Sequence, residues 1–292
     1  MSNDIFTETK NNETTLQDNF VKVAKNNFSG LVDSELIFAS SPEKINEFFW
    51  SKDVVVCKDR PKIRAILYQD FFIKSYNHTG WLNVIRRVFK TSRPMKVLKA
   101  FLQLEKHNIP TPKVLAALTE KKAVFPVVDY LVTQSIPSDV KFANYLLNNY
   151  ANQTDFDLSI AYKWILSAIP LVVKMHEANV LHGDLNLRNL YYNGTIDKLN
   201  GSWGVIDLDG TNVYTKKLSA NLRVKDLACF VVGFFKVLKA PDIDIPFADV
   251  MLSEYEKLTC ITIDRKLYRK RIIYLYKRHK RFLKKYYKMK NK

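Results

Sequence analysis

The apolar residues of this chain follow two different periodicities, and the change comes near Pro137. Before that point, short runs of β-branched and aromatic residues alternate with polar turns, a pattern typical of antiparallel strands. After it, apolar residues recur at helical spacings. The sequence therefore predicts an α+β fold, with a strand-rich part followed by a mainly helical part. The predicted strands are DVVVCKD, IRAILYQD, FFIKSY, VLAAL and AVFPVVDYLVTQSI.

One helix is predicted inside the strand-rich part, over PMKVLKAFLQLEKHN, where Pro94 suits a first helical turn. With 292 residues, 47% of them hydrophobic, the chain is long enough for one large domain or for two lobes. We divide it into a mobile or loosely docked arm (1–30), an N-lobe (31–136), a C-lobe (137–264) and a tail (265–292).

The helical part begins with AYKWILSAIPLVVKMHEANVL, an apolar stripe that is interrupted by Pro170. Because proline removes a backbone hydrogen bond from a helix interior, we expect the helix to kink or to stop there. Two short strands around a turn are predicted next, from LYYN and WGVIDLDGT. Helical patterns dominate from Val224 to the end.

Cysteines and apolar runs restrict the compartment. Cys57, Cys229 and Cys260 are far apart and odd in number, so we expect buried thiols and no disulfide framework or zinc site. The start, MSNDIFTETK, lacks the basic residues and apolar run of a signal peptide. The apolar run LACFVVGFF is about half of the roughly 20 residues that a spanning helix requires. We expect a soluble or peripheral protein in a reducing, cytoplasmic compartment.

Two polar loops contain the candidate chemistry. HGDLNLRN has the form H-x-D-x-x-x-x-N, and the apolar strand GVID ends at Asp207, 18 residues after Asn189. Phosphoryl transfer needs a carboxylate that accepts the proton of the attacking hydroxyl, oxygen ligands for Mg²⁺, and a cation on the phosphates. Either loop alone is an ordinary turn sequence. Their joint occurrence, in this order after the strands and the apolar helix, favours a kinase.

Each residue type has a role in that hypothesis. Asp184 would orient and deprotonate the acceptor, while Lys74, at the end of FFIK, supplies the cation. Asp209 makes a second metal contact if its segment stays extended. His182 is expected to brace the loop more than to transfer protons. The candidate catalytic residues are Asp184, Lys74 and His182, and the candidate metal ligands are Asn189, Asp207 and Asp209.

With these motifs the sequence resembles the bacterial lipopolysaccharide kinases that phosphorylate Kdo or heptose sugars of the inner core, within the protein-kinase-like superfamily. HGDLNLRN resembles their catalytic loop, GVIDLDGT their metal loop, NIPTPKVLAAL the strand entry after their αC helix, FFIKSY their lysine-bearing strand and YLVTQSIP their hinge. The resemblance covers about Asp53 to Leu238. It implies a bilobal protein-kinase-like fold, with an antiparallel-sheet N-lobe, one αC-type helix and a mainly helical C-lobe.

The resemblance also implies ligands and a location. The donor would be ATP, the metal Mg²⁺, and the acceptor a lipid-linked sugar of the lipopolysaccharide core at the cytoplasmic face of the inner membrane. Besides Lys74 and the metal ligands Asn189 and Asp207, the hinge-like segment assigns nucleotide contacts to Tyr130 and Val132.

The sequence departs from the family pattern in two places. No glycine lies between Asp53 and Lys74, so the loop over the phosphates would be the basic turn from Lys58 to Lys62. The αC-type helix offers only Glu105, near its end, as a partner for Lys74. These departures leave open a membrane-associated pseudokinase, and the same loops would also serve a phosphotransferase for a soluble small molecule.

Three further charged residues have two interpretations each. Asp226, in RVKDLACF, either hydrogen-bonds the backbone of the catalytic loop or caps a helix start. Arg188 and Arg223 either meet an anionic sugar or, as we prefer, are surface charges.

The net charge of +17 comes mainly from the tail, because 14 of the 46 Lys and Arg residues follow Asp264 and no Asp or Glu does. A basic amphipathic helix there suits an anionic membrane surface. The alternatives are a terminal helix packed on the C-lobe, and nucleic-acid binding, which the near-neutral remainder of the chain disfavours. The predicted apolar stripe comprises Tyr268, Ile272, Leu275, Phe282, Leu283 and Tyr286.

Overall fold

The computed structural model describes residues 19–88, 90–138, 140–149, 158–195, 198–238 and 242–290, with side chains for all of these except 82, 83, 86, 148, 149, 158 and 282–290. The chain divides into two compact units. The first unit comprises residues up to Leu98 together with Lys113–Ser135, and the second unit comprises Lys99–Pro112 and the residues from Ile136 onwards.

In the described part of the first unit, seven strands form one antiparallel sheet, which confirms the strand-rich half. The strands are β1 (Phe20–Lys25), β2 (Phe28–Asp33), β3 (Val55–Arg60), β4 (Ile63–Tyr68), β5 (Phe71–Asn77), β6 (Val114–Lys122) and β7 (Phe125–Gln134). Their order is β1-β2-β6-β7-β5-β4-β3. All five predicted strands are present within these bounds or a few residues of them.

One face of this sheet carries the core of the first unit. Successive side chains of a strand point to opposite faces, so Ile73 on β5 and Val132 on β7 share the buried face. Two short helices, α1 (Ile37–Ser40) and α2 (Lys44–Phe49), add Phe38, Ile45 and Phe49 to it. Full burial of each such side chain contributes roughly 1.5–3 kcal/mol to folding.

The N-terminal arm predicted over residues 1–30 is wrong from Phe20 onwards, because β1 and β2 belong to the sheet. Val23 and Phe28 lie in its core, and β2 pairs with β6. These two strands are short, and their burial depends on contacts with strands far away in the sequence. Residues 1–18 of the predicted arm lie outside the described residues.

The predicted αC-type helix is confirmed as α4 (Arg93–Lys106), with Pro94 in its first turn. Its apolar stripe is buried, as the exposures of Leu98 (1%) and Phe101 (3%) show. The preceding helix, α3 (Trp81–Val88), was not predicted from the sequence.

The second unit is mainly helical, with short strand pairs that position its loops. Pro170 lies in the first turn of a new helix, which confirms that the apolar stripe is cut there. The elements are α5 (Phe142–Asn149), α6 (Leu158–Ser167), α7 (Ile169–Glu177), β8 (Val180–Leu181), β9 (Leu190–Asn193), β10 (Ser202–Val205), β11 (Asn212–Val213), α8 (Ala220–Val237), α9 (Ile245–Thr259) and α10 (Arg265–Lys290). β9 and β10 form the predicted hairpin.

The basic tail is helical, as α10, and its first half packs on α8. Tyr268 and Ile272 are completely buried, and the Tyr268 hydroxyl donates a hydrogen bond to the carbonyl of Ala248, 3.1 Å away. The boundary drawn at residue 264 is therefore wrong for this half of α10, which is part of the second unit. The predicted stripe residues Phe282, Leu283 and Tyr286 lie outside the described side chains.

The expectation of three buried thiols is also wrong. Cys57 is exposed because β3 is an edge strand of the sheet and all of its residues are exposed. Cys260 is exposed at the end of α9, and Cys229 is half-buried on α8. Among the described residues, no helix is both long enough and apolar enough to cross a membrane.

Candidate functional site

A buried carboxylate on α8 hydrogen-bonds the backbone of the loop that follows β8. Asp226 on α8 is fully buried, and its two oxygens accept hydrogen bonds from the backbone amides of His182 (2.7 Å) and Gly183 (2.9 Å). Hydrogen bonds to an ionised acceptor are roughly twice as strong as neutral ones. The first interpretation of Asp226 is thus confirmed: it hydrogen-bonds the backbone of the HGDLNLRN loop.

Two histidines beside Asp226 are structural. His182 is completely buried, and its Nε2 lies 3.1 Å from the carbonyl oxygen of Ile206, so Nε2 carries the proton and donates. His176 contacts Asp226 through Nε2 (3.4 Å) and the Tyr255 hydroxyl through Nδ1 (2.8 Å), and burial lowers its pKa. A side chain without exposed surface does not reach a substrate, so His182 is placed as a brace and not as a proton carrier.

The segment after β10 lies directly against this loop. The amide of Ile206 donates to the carbonyl of Asn189 at 2.9 Å. A few residues later, Asn212 on β11 pairs with Leu181 on β8. Hydrogen bonds at both ends therefore fix the second polar loop beside the first one.

Glycines allow the two loops to touch. Gly183 has a φ of +79°, and a Cβ at this position would lie 2.5 Å from the carbonyl oxygen of Gly210. A Cβ on Gly210 would in turn lie 3.9 Å from the Cβ of Asp184. The loop that contains Asp207 and Asp209 is therefore in van der Waals contact with the catalytic loop beside Asp184.

Asp184, Asn189 and Asp207 on the two loops remain the candidates for phosphoryl transfer. Asp184 is exposed, and its backbone carbonyl accepts a 2.8 Å hydrogen bond from Nδ2 of the buried Asn189. Because Nδ2 is engaged, Oδ1 of Asn189 is the amide atom left for a cation. Asp207 is also exposed and adopts a left-handed conformation, with φ 61° and ψ 63°. Such a conformation costs a non-glycine residue about 1 kcal/mol or more, and is concentrated at functional sites.

The side-chain oxygens of the two loops are enough to hold a magnesium ion only if a bound phosphate and water supply the remaining metal ligands. Among the described residues, no three His, Cys, Asp or Glu side chains form a metal cluster. One amide oxygen and one or two carboxylates are nevertheless what Mg²⁺ takes from a protein when phosphates and water complete its octahedron. Asp209 lies in a 3₁₀ turn, Leu208–Gly210, and not in an extended segment, so the alternation argument for its metal contact fails.

Lys74 lies in the middle of β5, in the first unit, partly buried and with Nζ 5.7 Å from the centre of the Phe72 ring. Its neighbour across the sheet is Leu131, whereas Tyr130 and Val132 point to the opposite face. Both are buried in the core there. The prediction that Tyr130 and Val132 contact the nucleotide is therefore wrong for their side chains.

Other sequence-based assignments have mixed outcomes. The basic turn is a tight hairpin, in which Arg60 pairs with Ile63. Glu105 is partly buried near the end of α4, and its pairing with Lys74 stays a prediction. Arg223 is not a surface charge, since it is buried and donates to the Tyr255 hydroxyl at 2.7 Å. Arg188 is exposed, as predicted.

Two residues near Asp184 were missed by sequence reasoning. Cys229 on α8 places its sulfur 3.9 Å from Oδ1 of Asp184, and burial, followed by the nearby carboxylates, raises its pKa to about 12. The charge of Asp184 also acts on Lys236, about two turns after Cys229 on the same side of α8. Neither residue belongs to a motif, so only the packing of α8 on the loop reveals them.

The order of elements and the two adjoining loops define a class of protein. An antiparallel sheet with a strand-borne lysine, followed by a helical unit with an H-x-D-x-x-x-x-N loop and an aspartate loop, is the arrangement of protein-kinase-like phosphotransferases. The sequence profile of the lipopolysaccharide kinase (Kdo/WaaP) family matches residues 68–250, which is more than half of the chain. The chain belongs to this family, as the motifs predicted.

One solved structure supports the fold, and a second gives a weaker alignment. A structure of WaaP in complex with acyl carrier protein aligns with a TM-score of 0.50 at 16% identity, over 74% of this chain and 87% of that chain. The kinase PK-1 of the Cydia pomonella granulovirus aligns with a TM-score of 0.41 at 11% identity, over 68% of this chain and 74% of that one. A comparison with curated protein sequences gives no significant match.

Proposed function

We propose that this protein is an ATP- and Mg²⁺-dependent kinase that phosphorylates a sugar hydroxyl, of Kdo or heptose, in the lipopolysaccharide inner core. Family membership supports a phosphotransferase of lipopolysaccharide synthesis. The observation that carries the proposal is the exposed carboxylate of Asp184, on a loop whose backbone Asp226 fixes through two hydrogen bonds.

Each residue has a separate role in the proposed reaction. Asp184 orients the acceptor hydroxyl and accepts its proton as the phosphoryl group is transferred. Asn189, through Oδ1, and Asp207 would hold Mg²⁺, which neutralises phosphate charge when it is bound. His182 and Asp226 keep the loop in position. Lys74 remains our candidate for the contact with the donor phosphates.

Transfer of labelled phosphate tests this assignment. The protein would be incubated with γ-labelled ATP, Mg²⁺ and lipid A carrying Kdo or Kdo and heptose. We expect Asp184→Asn to lower kcat by roughly 10²–10⁴, the usual contribution of a general base. Asp242→Asn is a matched control, because the Asp242 side chain is 87% exposed and lies outside both loops. Label transfer that survives Asp184→Asn contradicts the role of Asp184.

A pseudokinase is the second candidate, and one observation favours it. The β3–β4 hairpin turns at Pro61 and Lys62 and has no glycine, so its backbone is not free to fold over phosphates as a glycine-rich loop does. Calorimetry with ATP and Mg²⁺, followed by the labelling assay, separates the candidates. If the protein binds the nucleotide but transfers label neither to lipid nor to any of a panel of soluble amino sugars and choline-like alcohols, the pseudokinase is favoured. Label on a soluble alcohol favours the small-molecule phosphotransferase.

We further propose that exposed cations of α10 contact an anionic membrane surface. The buried Tyr268 and Ile272 are not available to lipid, so the attraction would be mainly electrostatic, about 1 kcal/mol for each cation near the headgroups. Deleting α10 would uncover the second unit, so charge removal is the better test. The test variant replaces Lys266, Lys270 and Lys277 by Gln, and the matched control replaces Lys216, Lys217 and Lys257.

Co-sedimentation with vesicles of anionic lipid measures this binding. Loss of three cations should weaken it by roughly 100-fold, and the control by much less. Equal losses in both variants would mean that general charge, not α10, binds the surface. Stronger binding to RNA than to vesicles would favour the nucleic-acid alternative instead.

A further inference from the structure

Asp226 also contacts polar side chains that belong to neither loop. Its Oδ2 accepts from the amide of His182 and lies 3.4 Å from Nε2 of His176 on α7. Nδ1 of His176 lies 2.8 Å from the hydroxyl of Tyr255 on α9, and this hydroxyl accepts a 2.7 Å hydrogen bond from Arg223 on α8. All four side chains are buried. Arg223, Tyr255, His176 and Asp226 therefore form one continuous buried polar network that joins three helices to the loop.

The direction of every hydrogen bond in this network is fixed by its two ends. A guanidinium only donates and an ionised carboxylate only accepts. Because Arg223 donates to the Tyr255 oxygen, the hydroxyl proton of Tyr255 is directed to Nδ1 of His176. Nε2 of His176 then carries the ring proton and donates it to Asp226. Each hydrogen thus points from the cation towards the carboxylate.

The protonation states agree with this direction. Burial lowers the pKa of His176; Asp226 opposes this effect and Arg223 adds to it, so the ring is neutral at pH 7 and Nδ1 is free to accept. Burial raises the pKa of Tyr255 to about 12, so its hydroxyl keeps the proton that it donates.

The network connects two buried opposite charges through two neutral side chains. Nε of Arg223 donates to the carbonyl of Leu218 at 3.1 Å, which fixes the guanidinium in place. Buried charges are costly unless they are paired and hydrogen-bonded, and hydrogen bonds in series polarise one another in a low-dielectric interior. The positive charge of Arg223 therefore reaches Asp226 through Tyr255 and His176, and it favours the orientation in which the carboxylate also accepts from the loop.

We propose that Tyr255 and Arg223 are positioning residues, which act through His176 to hold Asp226 and thereby the backbone of the loop that carries Asp184. The inference rests on the proposed kinase function and adds to it a residue of α9, far from both motifs in the sequence. None of the three touches a substrate, whereas Asp184 faces the reacting hydroxyl.

Tyr255→Phe is the sharpest test, because it keeps the ring and removes only the hydroxyl that joins Arg223 to His176. In the label-transfer assay we expect kcat to fall about tenfold, the effect of losing about one hydrogen bond, and the KM for ATP to stay unchanged. Tyr268→Phe is the matched control. Tyr268 is equally buried, and its hydroxyl bonds to the carbonyl of Ala248 outside the network. Equal losses of kcat in both variants would overturn the proposal.

A double-mutant cycle tests whether Tyr255 acts through His176. His176→Gln offers an amide donor to Asp226 in place of Nε2 but has no ring nitrogen to accept from Tyr255. We expect Tyr255→Phe to lower kcat about tenfold in the wild-type background and by less than about twofold in the His176→Gln background. The same tenfold loss in both backgrounds would mean that Tyr255 does not act through His176, and would overturn the network.

NMR provides a test that does not need turnover. The ¹⁵N signals of the His176 ring should report a protonated Nε2 and an unprotonated Nδ1. Hydrogen exchange of the His182 and Gly183 amides, which donate to Asp226, should be about tenfold faster in Tyr255→Phe than in Tyr268→Phe. A ring protonated on Nδ1, or equal exchange in the two variants, overturns the network.

The two kinds of measurement separate this inference from the proposed function. If the NMR results are as expected but the wild type labels no acceptor, the kinase proposal fails and the network stands as the anchor of the loop. If the wild type transfers label but Tyr255→Phe changes neither kcat nor amide exchange, the network fails and the kinase proposal stands.

Discussion

Asp226 is the residue whose replacement should disturb the catalytic loop most without changing an exposed side chain. Asp226→Asn keeps the shape and removes the charge. The carboxylate now accepts hydrogen bonds on both oxygens, from His182 N at 2.7 Å and Gly183 N at 2.9 Å. Because an amide has a single oxygen, one of these N–H groups would face an NH₂ group.

The magnitude follows from these two bonds. A hydrogen bond to a charged group contributes about 1.5–3 kcal/mol, and a buried donor left without a partner costs about 1–3 kcal/mol. The two effects overlap, so we expect the free energy of unfolding to fall by about 3 kcal/mol. For a unit of this size that corresponds to a Tm lower by roughly 6–12 °C.

Thermal unfolding followed by circular dichroism measures the stability, and label transfer well below the Tm measures the function. We expect kcat to fall, because the loop that carries Asp184 loses its anchor, while the KM for ATP changes little. Asp242→Asn, at an exposed carboxylate, should leave both quantities unchanged. If the free energy of unfolding of Asp226→Asn lies within about 0.5 kcal/mol of the wild-type value, the anchoring role is refuted.

Three further substitutions test separate parts of the structure. Gly183→Ala should abolish label transfer, since its Cβ would lie 2.5 Å from the carbonyl oxygen of Gly210; wild-type activity would mean that the two loops are not in contact. Tyr268→Ala should lower the free energy of unfolding by about 3–5 kcal/mol, measured by urea denaturation, because the ring is completely buried; a loss near zero would mean that α10 is detached. Tyr130→Phe should cost about 1 kcal/mol by the same method, through its 2.7 Å hydrogen bond to Asn46, and leave the KM for ATP unchanged; a raised KM would restore the hinge assignment.

The parts of the fold that the sequence predicted are those determined by neighbours along the chain. Strand alternation over FFIKSY, the proline at the start of α4 and the break at Pro170 are local signals, and each is where it was expected. β1 and β2 were not predicted, because Val23 and Phe28 are buried only through contact with residues of other strands.

The same division applies to the site. Asp184, Asn189 and Asp207 could be proposed from the sequence because each lies in one of two short motifs, and the structure places these two loops side by side. Tyr130 was misassigned because the face on which it lies depends on the register of β7 with β5, which a single segment does not reveal. Cys229 and Lys236 were missed for a related reason. Only the packing of α8 on the loop brings these residues near Asp184, and no sequence interval encodes that contact.

The membrane proposal for α10 makes a prediction for the kinase assay, because the two sides of this helix differ in exposure. The side with Ile272 and His279 packs inwards, whereas Lys266, Lys270 and Lys277 are exposed. If the exposed side holds the protein on the membrane, loss of these three lysines should raise the KM only for acceptors embedded in vesicles, and should leave the KM for a soluble Kdo-containing fragment unchanged. A triple-lysine variant that impairs the soluble fragment as strongly as the vesicle-bound acceptor would show that a diffuse electrostatic field, and not a membrane-binding surface, accounts for the charge of this helix.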